Sequence, residues 1–72
     1  MTPSRYRPIN LNGKPYDLED VINIEWDGED YESYRVADTL TIELETGDVE
    51  VVEKRELDQD TRDLLSRYVM SL

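Results

Sequence analysis

The sequence predicts an α+β domain: a small antiparallel sheet of three to four strands with one C-terminal amphipathic helix packed on one face. Three observations predict it. Leu40, Ile42 and Leu44 alternate with Thr41, Glu43 and Glu45, a period of two that marks a half-buried strand. Residues 21–26, VINIEW, are dominated by β-branched and aromatic side chains and stop at the turn signal Asp27-Gly28. Leu64, Leu65, Tyr68, Val69 and Leu72 fall at i, i+1, i+4, i+5 and i+8, an apolar stripe with helical period.

Taken in order, residues 1–8 read as an N-terminal arm, broken by Pro3 and Pro8, and residues 9–72 as a single domain. Residues 9–11 form a short strand, and Asn12-Gly13 turns the chain so that residues 14–16 pair back, with Pro15 confining that strand to an edge. In residues 17–22, Asp17 could cap a single helical turn, but the β-branched residues favour a strand with Ile22, Ile24 and Trp26 on one face. Residues 29–33 follow as a loop or hairpin end, and residues 34–37 start the next strand, which leads into Leu40. Thr46-Gly47-Asp48 supplies the turn of a central hairpin. A two-residue or a four-residue connection there places Val49 and Val51 on the same face as Leu40, Ile42 and Leu44. Asp58 or Asp60 caps the final helix, which carries acids in its first turn and Arg67 near its end, as the helix dipole favours, and runs to about Ser71.

The totals bound the chemistry. Seventy-two residues make one small domain, which buries roughly 60% of the surface its unfolded chain exposes. There is no cysteine to staple it, and domains of this size often gain stability by oligomerising or docking on a partner. No apolar run approaches the ~18 residues of a membrane-spanning helix, and the N-terminus lacks the apolar core of a signal peptide, so a cytoplasmic location is expected. Histidine is absent as well, and four scattered serines have no base beside them, so a free-standing enzyme is not expected. Calcium-loop spacing fails in both candidate stretches. A loop from Asp58 would put Asp63 and Val69 where Gly and Glu are required, and one from Asp27 would put Glu32 and Asp38 there. No catalytic residue, metal or cofactor is therefore assigned.

The net charge is −10, unevenly spread. Residues 1–14 carry Arg5, Arg7 and Lys14 with no acid, too short a basic stretch for direct nucleic-acid binding by so acidic a body. Residues 15–34 carry eight acids and no base. Within that run Asp27, Glu29, Asp30 and Glu32 are interleaved with Tyr31 and Tyr34, a combination suited to an interface with an apolar centre and a polar rim. Trp26, by contrast, continues an apolar strand face and belongs to the core. The expected partner is a larger protein with a basic surface: the four acids supply the field and the two tyrosines the contact area.

In size and charge, and in no motif, the chain resembles the small acidic inhibitors that phages deploy against host nucleic-acid-binding enzymes. That resemblance implies a mimic of nucleic acid that occupies a basic groove. Two alternatives compete with it. One is a structural or accessory subunit that forms a homodimer. The other is a domain from a salt-rich cytoplasm, consistent with two lysines against six arginines, where molar salt shrinks the Debye length to about 3 Å and removes self-repulsion.

Overall fold

The computed structural model describes residues 8–71, so residues 1–7 of the expected arm (1–8) and the last position of the apolar stripe, Leu72, lie outside the described residues. Pro8 itself belongs to the first strand. The elements are β1 (Pro8–Leu11), β2 (Lys14–Asp17), a 3-10 turn (Leu18–Asp20), β3 (Val21–Glu25), α1 (Tyr31–Val36), β4 (Thr39–Leu44), β5 (Val49–Glu53), a second 3-10 turn (Lys54–Glu56) and α2 (Gln59–Met70). The class is α+β, with all strand pairings antiparallel: β1 and β2 form a separate hairpin, and β3, β4 and β5 form a three-stranded sheet in that order.

The N-terminal hairpin follows from its turn. Asn12 and Gly13 adopt φ of 55° and 80°, and the pairing Leu11↔Lys14 closes a two-residue connection. Ile9 and Leu11 then point into the core while Asn10 faces outward. The segment that admitted both a cap and a strand contains both. Asp17 Oδ1 accepts the Glu19 N–H at 3.0 Å, capping the turn Leu18–Asp20, and the strand begins at Val21.

Two expected faces are corrected. The connection between β4 and β5 holds three residues, not two or four: the Leu44 N–H donates to the Asp48 carbonyl at 2.9 Å and the Gly47 N–H to the Leu44 carbonyl at 2.9 Å. Gly47, at φ 96°, takes the left-handed step that such a loop needs. An odd loop shifts the partner strand by one residue, which exchanges its faces. Leu40 therefore pairs with Val52 and Ile42 with Glu50, so Glu50 and Val52 face the core. Val49 and Val51 are 57% and 58% exposed on the outer face. The second correction lies in β3, where a bulge between Val21 and Asn23 breaks the alternation. Val21 and Ile24 are buried, and Ile22 turns outward.

The third correction is α1, which occupies residues expected as loop and strand. The Asp30 cap on its first turn decides the matter. α2 was expected on the sheet, and its buried residues Thr61, Leu65 and Val69 are spaced i, i+4, i+8. Leu65 and Val69 join Ile9, Leu11, Val21, Ile24, Tyr34, Leu40, Ile42, Leu44, Val52 and Leu57 in one core cluster. Each fully buried Leu or Ile in that cluster contributes about 1.5–3 kcal/mol. The Thr61 hydroxyl accepts the Asn10 backbone N–H at 3.0 Å, fastening the first turn of α2 to β1. Asp58 caps that helix, without closing a full capping hydrogen bond. The Thr61 hydroxyl, and after it the Thr61 N–H, hold the Asp58 carboxyl below its ordinary range.

Candidate functional site

The acidic and aromatic residues singled out in the sequence converge on the segment from Trp26 through α1. Its geometry starts at Gly28, where φ is 139°, a value that favours glycine. A Cβ at Gly28 would lie 2.2 Å from the Ser33 Cβ, so the backbone of the acidic loop rests directly on the first turn of α1. Asp30 then caps that helix. Its Oδ1 accepts the Ser33 N–H at 2.8 Å and the Ser33 hydroxyl at 2.5 Å. The Ser33 hydroxyl, with the Ser33 N–H second, holds the Asp30 carboxyl below its usual range. A capped turn of this kind overrides the β-propensity of Tyr34 and Val36, which made a strand the expectation over residues 34–37.

Helical rather than extended backbone redistributes the predicted site residues. Asp27, Glu29, Asp30, Tyr31 and Glu32 are exposed and surround the start of α1. Tyr34 is not among them: at 3% exposure it belongs to the core and offers too little surface to serve as contact area for a protein partner. It stacks on Tyr31 with ring centroids 5.9 Å apart, meets Trp26 edge-on at 5.3 Å, and carries the Lys54 Nζ 4.2 Å above its ring centroid. Lys54 also donates to the Tyr34 carbonyl. Burial raises the Tyr34 hydroxyl above its ordinary value, opposed by a hydrogen bond with Ser66. The Tyr34 side chain thus serves as the platform under Tyr31, which is 36% exposed.

Beside this platform, Trp26, Glu29, Tyr31, Val69 and Met70 line an open groove of about 420 Å³ between the start of α1 and the end of α2. Trp26 is half-buried, so its expected place in the core is reached in part: it packs against the core cluster and also lines the groove. Among the described residues its indole Nε1–H is buried without a hydrogen-bond partner. Met70, exposed near the end of α2, was not legible as a site residue because it falls off the apolar stripe of that helix. The charges around the groove differ in availability. Asp30 is committed to Ser33, and Glu32 lies 3.6 Å from Arg35 one turn later. Asp27 and Glu29 have no ion pair within 4 Å among the described residues.

A second polar constellation escaped the sequence reading entirely. Glu50, placed on the core face by the odd loop, accepts the Tyr16 hydroxyl at 2.5 Å and the Asn12 Nδ2–H at 3.0 Å, with the Lys14 Nζ 3.6 Å away. The Asn12 side-chain amide also donates to the Val51 carbonyl at 3.0 Å. The Tyr16 hydroxyl, then Asn12, hold the Glu50 carboxyl low, and the same contact pushes Tyr16 up to about 12. Every donor in this cluster comes from the N-terminal hairpin, so its role is to clasp that hairpin to β5. Its hydrogen bonds compensate the cost of placing a carboxylate on the core face.

Among the described residues no group of three or more acidic side chains is arranged to hold a metal ion, and no helix is long and apolar enough to cross a membrane. No protein-family model, curated protein or solved structure matches the chain.

Proposed function

We propose that this protein is a small, non-enzymatic binding protein of the cytoplasm that docks the acidic face around α1 on the basic surface of a larger protein, such as a nucleic-acid-binding groove, and thereby inhibits or modulates it. One observation carries the reading: Asp27, Glu29 and Glu32 are exposed around an accessible ring, Tyr31, and an apolar groove. Acids alone would make a solvated surface. Acids placed around an exposed aromatic and a groove have the anatomy of an interface, with a desolvated centre and a charged rim. A net charge of −10 adds a long-range field that draws a basic partner in and speeds encounter.

The test uses immobilised protein and a triple charge-reversal variant, Asp27→Lys, Glu29→Lys and Glu32→Lys. These three positions are exposed and outside the cap, so the variant keeps its fold, which far-ultraviolet circular dichroism verifies. The wild type retains a basic protein from extract at low salt, releases it as salt rises, and the variant fails to retain it. Equal retention by both forms would sink the reading.

A second reading, a homodimeric accessory subunit, draws support from Val49 and Val51 on the outer face of the sheet. It requires self-association at micromolar concentration that salt leaves unchanged and that Val49→Thr with Val51→Thr abolishes. Sedimentation separates the two readings.

A further inference from the structure

The cations of this chain are few, and three of them meet. Arg35 from α1, Lys54 from the turn after β5 and Arg62 from α2 line a recess of about 320 Å³ together with Tyr31, Tyr34 and Ser66, and no acid lines it. With 18 acids against 8 bases, each cation has more than two candidate carboxylates in the chain. Yet neither Lys54 nor Arg62 has a carboxylate within 4 Å among the described residues. Asp38 acts on Lys54, and Asp58 interacts with Arg62, only at longer range. Arg35 pairs with Glu32 at 3.6 Å, but those side chains are 61% and 77% exposed, and an exposed pair of that kind yields readily to a better partner.

We propose that this recess is an oxyanion site that holds a phosphate group, with Arg35 and Arg62 gripping its oxygens from two helices and the Lys54 ammonium as the third cation. Guanidinium groups suit such a ligand because their planar fork donates two parallel hydrogen bonds to neighbouring oxygens. Lys54 is held in place before any ligand arrives, by its contacts with the ring and the carbonyl of Tyr34. Its burial depresses the ammonium below its ordinary value, and an anion in the recess would reverse that cost. Tyr31 forms one wall and gives an aryl phosphate a face to stack on. Tyr31 borders both this recess and the groove of the acidic face, and Glu32 of that face pairs with Arg35, but the phosphate site stands whether or not that face docks on a protein.

The experiment is a titration followed by two-dimensional NMR of the backbone amides and arginine Nε–H groups. Inorganic phosphate and phenyl phosphate are the probes, each run against sodium chloride at matched ionic strength. Saturable shifts at Arg35, Lys54, Arg62 and Ser66 with phosphate probes, absent with chloride, are expected. Arg62→Gln, an exposed substitution, weakens them by about tenfold or more, as the loss of a charge-assisted bidentate contact implies. Tighter binding of phenyl phosphate assigns a phosphate ester as the ligand, and equal binding assigns the free ion. Shifts that chloride reproduces, that never saturate, or that persist unchanged in a folded Arg62→Gln protein would overturn the proposal.

Discussion

A carboxylate on the core face of a strand survives only where donors meet it, and Glu50 is met by Tyr16, Asn12 and Lys14. Its folded-state value is depressed, so the stability it adds is present above the ordinary carboxylate range and is lost as pH falls through the folded value. Glu50→Gln should therefore be less stable than wild type at neutral pH, and urea titrations at falling pH should show the difference closing. Tyr16 works in the opposite sense. Its folded value, raised to about 12 from an ordinary 10.0, contributes stability that is complete below 10 and disappears as pH rises towards 12. Tyr16→Phe should flatten that alkaline decline, read from melting temperatures between neutral and strongly alkaline pH. Gly28 makes a steric prediction at the same scale. Alanine there combines an unfavourable φ with a Cβ 2.2 Å from that of Ser33, so Gly28→Ala should cost about 1–3 kcal/mol in chemical denaturation and displace the acidic loop.

At the scale of elements, the β4–β5 loop is the most informative. Its three residues place Val52 in the core and Val51 in solvent, the reverse of what an even loop would do. Val52→Ala should cost about 2 kcal/mol, whereas Val51→Ala should stay within about 0.5 kcal/mol, a contrast that equilibrium unfolding can read. The other expected register gives the opposite order. The junction of α2 with β1 is testable in the same way. Thr61→Val keeps the volume but leaves the Asn10 N–H without its acceptor and should cost about 1–2 kcal/mol, with Thr61→Ser costing less. These elements also mark what a reader of the sequence can reach. The Asn12-Gly13 hairpin, the β4 alternation and α2 are legible because turn residues and apolar period point the same way. The β5 face was not, because Thr46-Gly47-Asp48 signals a turn without counting its residues. The bulge in β3 follows from tertiary fit and leaves no local mark. In the candidate site the exposed acids were legible as a charge run. Tyr34 was misplaced because Tyr-x-x-Tyr reads as surface in a loop but as one buried and one exposed ring in a helix. The capping pair Asp30 and Ser33, three apart, was the signal that could have shown the helix.

For the whole molecule, the organising fact is a charge of −10 on a fold whose core is a single small cluster. The exposed acids around α1, the groove beside Tyr31 and the cationic recess lie on α1 and the loop before it, on α2 and on the turn after β5. Self-repulsion of that charge opposes the compact state at low ionic strength, and the hydrogen-bonded clasp at Glu50 and the shared core work against it. If the acidity serves contact with a partner rather than adaptation to salt, the domain must fold without help from salt. The direct measurement is a thermal melt followed by circular dichroism in about 0.1 M and about 2 M KCl, conditions between which the screening length falls from about 10 Å to below about 3 Å. A cooperative transition from a fully folded baseline at low salt, shifted only modestly at high salt, is the predicted result. A chain that is unfolded at low salt and folds only near molar KCl would contradict it.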